Sequence, residues 1–269
     1  MLEYKKLLGD IISHGSWIEN NNGRFKELIS YNMTLSKTNL FSQESIRPFE
    51  KVKRYLFGEL SWYLSGSLDC EGIVKYSKFW NKIKNINGTV NSNYGLLVFH
   101  KYVLGKYTNF DWCLKQLTDD KFTRRAIMTY KHGEELYASN KDFICTISNQ
   151  FFIRNDTLLC LVNIRSSDVI KGLTYDIPWW SLVHQNLYLL LLETYPDLKL
   201  GDVSINFGSV HFYERDLELV KGLLMRPMDF YFMELKKPLI INCSQLYWEE
   251  NLDEYVEVIK HARFKTNFA

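Results

Sequence analysis

Asp142-Phe143-Ile144-Cys145-Thr146-Ile147-Ser148-Asn149-Gln150 is an apolar, β-rich run with one cysteine, and a second such run, Thr157 to Ile164, follows it across Asn155-Asp156. This composition predicts two strands, Phe143 to Arg154 and Thr157 to Ile164, joined as a hairpin. The second strand leads into Arg165-Ser166-Ser167-Asp168, and Arg124-Arg125 lie upstream on a further strand, Arg125 to Tyr130. A cysteine in an apolar strand is ordinarily inert core, and Cys160 fits that description. Cys145 differs because a thiolate needs nearby positive charge, and arginines 124, 125 and 165 lie on neighbouring strands that can converge on it. Taken alone, Arg124-Arg125 would read as a solvated strand edge. Together with the cysteine they outline a nucleophile in a basic pocket.

Outward from this hairpin the apolar spacing alternates between helix and strand. Leu2 to Ile12 has helical spacing, and Gly15 and Asn20-Asn21-Asn22-Gly23 are turn chemistry. Glu27 to Leu35 reads as a strand. Phe49 to Leu64 reads as a helix with one buried face and Glu59 among its apolar residues. Glu71 to Ile83 and Asn109 to Leu117 read as helices, with a turn at Asn87-Gly88 and a polar loop at Asn91-Ser92-Asn93-Tyr94-Gly95. Ile177 to Glu193 is apolar nearly all round and predicts a buried helix. Val203 to Phe212 reads as a strand, Glu214 to Leu224 as a helix and Phe230 to Leu235 as a late strand. No repeat or linker divides residues 1–269. The expectation is a single α+β domain with a large sheet and helices packed on it.

Composition narrows the class. A chain of 269 residues, 46% hydrophobic with only 5 Pro, can bury a substantial core. Its longest apolar stretch is too short for a bilayer, and the N-terminus lacks the apolar segment of a signal peptide, so no membrane association is expected and a cytoplasmic location is. Cys70, Cys113, Cys145, Cys160 and Cys243 are odd in number and form no Cys-x-x-Cys pair, which argues for free thiols and against a disulfide framework or a metal site. A net charge of +2 implies no obligatory nucleic-acid partner.

The order of motifs resembles the thymidylate synthase family over roughly residues 15 to 225: an arginine pair, a cysteine with a glutamine (Gln150) five positions on, Arg-Ser-x-Asp, Gly-x-x-x-Asp/Asn, then Gly-x-x-His-x-Tyr. Glu59-Leu60-Ser61-Trp62-Tyr63-Leu64 resembles the family's Glu-Leu-x-Trp-Phe-Leu helix, Phe79-Trp80 its Ile-Trp, Asn93-Tyr94-Gly95 its Val-Tyr-Gly, and Gly208-Ser209-Val210-His211-Phe212-Tyr213 its Gly-Asp-Ala-His-Ile-Tyr. The resemblance implies the family's fold, a large mixed sheet paired sheet to sheet in a homodimer. It also implies a nucleoside monophosphate substrate, with 5,10-methylenetetrahydrofolate as co-substrate. Under it Cys145 is the nucleophile that adds to carbon 6 of a pyrimidine and so activates carbon 5. Arg165 and Ser166 bind the phosphate from one subunit, while Arg124 and Arg125 reach it across the dimer interface. Glu59 handles protons through ordered water. His211 and Tyr213 hold the sugar hydroxyl, Trp80 and Tyr94 line the reacting end, Gln150 and Asp168 belong to the substrate set, and Trp80 and Asp168 also face the folate.

The departures from the pattern are informative. Deoxyuridylate-specific members carry asparagine where this chain has Asp176, in Gly172-Leu173-Thr174-Tyr175-Asp176. An amide matches uracil's carbonyl and ring NH, whereas a carboxyl sharing a proton matches cytosine's amino group and ring nitrogen. Asp176 therefore points to cytosine. Its structural alternative is an N-cap for the helix expected at Ile177. Thr146 in place of histidine, Ile83 in place of a second tryptophan, Ser209 in place of aspartate, and Asn91-Ser92-Asn93 in place of Gly-Pro-Val are together similar to the deoxycytidylate hydroxymethylase branch known from T-even phages. That branch adds water to the one-carbon adduct where synthases reduce it, and a less bulky, more polar pocket is the direction expected for admitting water. CMP or dUMP hydroxymethylation, reductive methylation, and a non-catalytic nucleotide-binding paralogue are the alternatives. Asn21-Asn22-Gly23-Arg24 lacks the usual phosphate-loop arginine and leaves Arg24 as the candidate substitute. Ile177-Pro178-Trp179-Trp180 matches neither branch, and the tail Phe264 to Ala269 is not the synthase tail.

Overall fold

The computed structural model describes residues 2–35, 39–40, 48–103, 105–131, 140–227, 230–242, 245–246 and 256–261. Its framework is a six-stranded sheet in the spatial order β1-β2-β7-β6-β5-β4. The strands are β1 (Ser16–Asn20), β2 (Gly23–Leu35), β4 (Ile127–Thr129), β5 (Thr146–Arg154), β6 (Thr157–Asp168) and β7 (Lys199–Tyr213). All neighbours are antiparallel except β6 and β7, which are parallel. Parallel neighbours need a crossover, and α6 (Leu173–Leu191) supplies it. Smaller sheets are formed by β3 (Asn39–Leu40), β8 (Phe230–Leu235) and β11 (Val256–His261), and by β9 (Ile240–Asn242) with β10 (Gln245–Leu246). The remaining α-helices of the described residues are α1 (Leu2–His14), α2 (Phe49–Ser65), α3 (Glu71–Val74), α4 (Trp80–Ile83), α5 (Asn109–Asp119) and α7 (Leu217–Met225). This is a mixed α+β architecture, as the periodicities predict. No described helix is long and apolar enough to cross a membrane.

Strand alternation divides the two faces of the sheet. Met33, Phe151, Val162, Ile164, Ile205 and Phe207 are buried on the inner face, where α6 packs with Trp179 and Trp180 fully enclosed. The opposite face carries a polar ladder. Asn206 donates to Asn163 (3.0 Å), Asn163 donates to Ser148 (3.0 Å), and the Thr34 and Ser204 hydroxyls meet at 3.1 Å.

Several expected boundaries move, each for a local reason. The β5–β6 hairpin turns at Asn155 and Asp156 with φ of 50° and 53°, the conformation that a tight hairpin requires and that Asn and Asp tolerate. Residues 143–145 stand outside β5, because the Phe143 and Ile144 carbonyls are taken by the Arg165 side chain. The helix expected over Glu71–Ile83 is broken into α3 and α4, and the Ser77 hydroxyl accepts from the Phe79 N–H at the break. β1 was masked in the sequence by the turn residues on both sides of it. α6 begins four residues before Ile177, on Leu173 after Gly172, and carries Pro178 in its interior. Asp176 thus lies in the first turn of the helix, and the N-cap reading is overturned. Cys243 and the tail 264–269 lie outside the described residues.

Candidate active site

α2 carries one wall of the site. Its buried face holds Leu56, Leu60, Tyr63 and Leu64, and on that face Glu59 is 5% exposed. The Tyr55 hydroxyl, one turn earlier, donates to Glu59 Oε1 at 2.7 Å and accepts from Trp80 Nε1 at 3.0 Å. Burial pushes the Glu59 carboxyl up to about 8; the Tyr55 hydrogen bond restrains the rise and the Asp176 carboxylate adds to it. Burial likewise pushes Asp176 up to about 7. Two carboxyls are thereby held in the neutral pH range in one enclosure, the arrangement expected of groups that exchange protons during a reaction.

Cys145 enters from the sheet. It is half-buried immediately before β5, and its carbonyl accepts from the Arg165 N–H at 2.9 Å. Arg165 Nε and Nη2 donate to the Ile144 and Phe143 carbonyls at 2.9 and 2.8 Å, which fixes the guanidinium beside the thiol. Its charge does not win, however. Burial is the dominant influence and pushes the thiol up to about 11; Arg165 opposes it, Asp176 and Asp142 reinforce it, and Lys131 opposes it weakly. The expected convergence of three arginines is therefore corrected to one. Arg124 and Arg125 are exposed and line a separate open cavity of about 540 Å³ with Gln116, Asp119, Asp120, Phe122 and Thr123. Gln150 goes with them, its Nε2 donating to the Arg124 carbonyl at 2.9 Å.

The loop at residues 91–95 supplies the opposite wall. Asp142 Oδ2 accepts from the Asn91 and Ser92 N–H groups, each at 2.7 Å, and Asp142 Oδ1 accepts from the Ser92 hydroxyl at 2.6 Å. Asn93 Nδ2 donates to the Trp62 and Ser67 carbonyls at 2.9 and 2.8 Å. These contacts hold buried Tyr94 stacked on Tyr63, with its hydroxyl accepting from the Thr146 N–H at 3.4 Å. Gly95 permits the approach, since a Cβ there would stand 1.7 Å from the Tyr63 carbonyl oxygen. The polar residues expected to greet water at the reacting carbon are thus consumed in fixing the loop. Thr146 is also buried, its Oγ1 accepting from Trp180 Nε1 at 3.3 Å. Ser209 donates to Glu27, and Ile83 is half-buried in α4.

The C-terminal end of β6 meets the end of β7. Asp168 pairs in register with His211, and Ser166 with Ser209. Asp168 Oδ1 accepts from the Ile170 and Lys171 N–H groups at 2.8 and 3.1 Å. His211 packs against Phe25 and Tyr213, with ring centroids at 5.2 and 5.4 Å. Burial holds its pKa below the usual histidine value against the pull of Asp168 and Glu27. Its Nδ1 and the Ser167 hydroxyl are buried without a hydrogen-bond partner. Such atoms call for an external polar partner. Arg24 is not at this site: it pairs with Glu214 at 2.7 Å over the Trp17 ring on the surface. No metal-binding cluster is found among the described residues.

Sequence reading missed Tyr55, Tyr175, Asp142 and Lys131. Only Tyr55 left a signal, its i to i+4 spacing from Glu59 on one helix face. Tyr175 packs edge-on against Tyr55 at 4.5 Å, a contact between α6 and α2 that no local pattern encodes.

Known proteins are similar to this chain in sequence. The deoxycytidylate 5-hydroxymethyltransferases of Enterobacteria phages T6 and T4 are each 34% identical over 173 residues, covering 62% of this chain and 69% of theirs. The thymidylate synthase of Buchnera aphidicola subsp. Acyrthosiphon pisum (strain APS) is 26% identical over 232 residues, 84% of each chain. The thymidylate synthase family model matches residues 2–255, a span that contains both carboxyls, the cysteine and the six-stranded sheet, and the chain belongs to the thymidylate synthase family.

Proposed function

We propose that the protein transfers a one-carbon unit from 5,10-methylenetetrahydrofolate to carbon 5 of deoxycytidylate and releases 5-hydroxymethyl-deoxycytidylate. The family membership supports one-carbon transfer to a pyrimidine carbon 5. The observation that carries the finer reading is the Asp176 carboxyl, which lies in the electrostatic reach of both Cys145 and Glu59 and is poised near neutrality. Near pH 7 it can accept from a cytosine amino group with one oxygen and share a proton with the ring nitrogen through the other, whereas uracil offers the inverse pattern. The names of the phage relatives agree.

Cys145 forms the bond to carbon 6 of the base, which makes carbon 5 nucleophilic. A thiol held at about 11 is a poor nucleophile until its surroundings change. Base binding supplies that change: proton sharing with the ring nitrogen quenches the Asp176 charge, one of the influences that raises the thiol. Arg165 and Ser166 bind the substrate phosphate, and His211, with its unpartnered Nδ1, holds the sugar hydroxyl with Tyr213. Glu59 receives and returns protons at the reacting end beside Tyr94 and Trp80. Methylenetetrahydrofolate supplies the carbon at the oxidation level of formaldehyde. The aromatic wall of Tyr55, Tyr175 and Trp80 fits a flat heterocycle, and Asp168 Oδ2, which makes no hydrogen bond among the described residues, fits its ring donors. Release of the product consumes one water and returns tetrahydrofolate. A sheet-to-sheet homodimer on the ladder face would bring the partner's exposed Arg124 and Arg125 to the phosphate.

The test is incubation with methylenetetrahydrofolate and each of dCMP, CMP and dUMP, following tritium release from carbon 5 and dihydrofolate absorbance. Release from dCMP without dihydrofolate is expected. Dihydrofolate formation sinks hydroxymethylation, and turnover of dUMP alone sinks the role of Asp176.

A further inference from the structure

We propose that Tyr55 is a positioning residue that fixes which oxygen of Glu59 carries the carboxyl proton, an inference resting on the proton-handling role given to Glu59 above. An indole N–H can only donate, so the 3.0 Å contact from Trp80 Nε1 makes the Tyr55 hydroxyl oxygen an acceptor. The one proton of that hydroxyl is then directed along its other short contact, 2.7 Å to Glu59 Oε1. The chain runs one way, from Trp80 through Tyr55 to Glu59. Oε1 is held as an acceptor, and a proton taken up by Glu59 resides on Oε2.

The relay is clamped from three elements. Trp80 stands on α4 and packs on Trp62 at 5.0 Å. Tyr55 stands on α2, and its ring is braced edge-on by Tyr175 of α6. The titratable groups acting around Glu59 are Tyr55 and Tyr63 on its own helix and Asp176 on α6. No lysine or arginine among the described residues is a resolved influence on it. A bond donated to the charged carboxylate favours that form, so Tyr55 also restrains the rise that burial imposes.

The experiment is an infrared pH titration of the protonated-carboxyl band in the ligand-free full chain, with the Glu59 band identified by its loss in Glu59→Gln. Tyr55→Phe keeps the ring and loses only the hydroxyl, and the midpoint, about 8 in the parent, is expected to rise by about half a pH unit or more. Trp80→Phe removes the donor behind Tyr55 and raises it by less. The double variant stands no higher than Tyr55→Phe alone, because Trp80 acts only through Tyr55. An unmoved midpoint in Tyr55→Phe, or a further rise when Trp80→Phe is added to it, overturns the relay. Wild-type tritium exchange in Glu59→Gln would instead overturn the catalytic role of Glu59, whatever the infrared midpoints.

Discussion

Cys145 and Asp176 are coupled by charge, so substitution of one is read in the other. Cys145→Ala should abolish tritium exchange from carbon 5 of every base, and exchange that persisted would remove the cysteine from the chemistry. Asp176→Asn should lower turnover of dCMP relative to dUMP by about a hundredfold or more, since a buried site built for one hydrogen-bond pattern rejects its inverse strongly. The same variant removes a carboxylate that raises the thiol. Alkylation of Cys145 by iodoacetamide should therefore become half-maximal at lower pH than in the parent, where the thiol stands at about 11. An unmoved alkylation profile would separate the two residues. These roles are only half legible in sequence. The type and order of the residues nominate Cys145 as the nucleophile and Asp176 as the base-reading carboxyl, but neither pKa follows from them, because burial contributed by distant elements sets both.

At the scale of elements, the polar loop of residues 91–95 and the segment before β5 behave as one unit because Asp142 ties them. Asp142→Ala would leave the part-buried Asn91 and buried Ser92 donors unpaired and should cost about 1–3 kcal/mol in denaturant unfolding. Gly95→Ala should cost a similar amount, since the added methyl meets the α2 backbone, and it should also slow turnover by displacing Tyr94. A turnover rate unchanged in a folded Gly95→Ala protein would show that Tyr94 need not be held there. α6 illustrates what local signals miss. The apolar run from Ile177 suggests a helix start there, yet the helix begins at Leu173 and accommodates Pro178 inside, where Trp179 and Trp180 anchor it through Tyr130 and Thr146. Tertiary packing outweighs the lost backbone bond.

Over the whole molecule, two raised carboxyls make stability depend on pH. A carboxyl raised in the folded state binds its proton more tightly there than in the unfolded chain. Its stabilisation is full below the ordinary carboxyl range and is lost as pH rises through about 7 for Asp176 and about 8 for Glu59. Calorimetry of the ligand-free protein should therefore show a lower melting temperature at pH 8.5 than at pH 5.5. Asp176→Asn should flatten that slope, and an unchanged slope would mean the carboxyl is solvated. If the proposed homodimer forms on the ladder face, a charge placed there, Asn163→Arg, should shift sedimentation toward monomer and weaken phosphate binding. The sequence by itself determined the α+β class and the sheet's long strands, and singled out Cys145, Glu59, Asp176 and Arg165 as candidates, because periodicity and residue chemistry are local properties. Only the tertiary structure decided that, of the three arginines, Arg165 attends the thiol, that Asp176 lies inside a helix turn, and that Tyr55 joins Trp80 to Glu59. Those outcomes depend on which distant elements meet, and on how much water their meeting excludes.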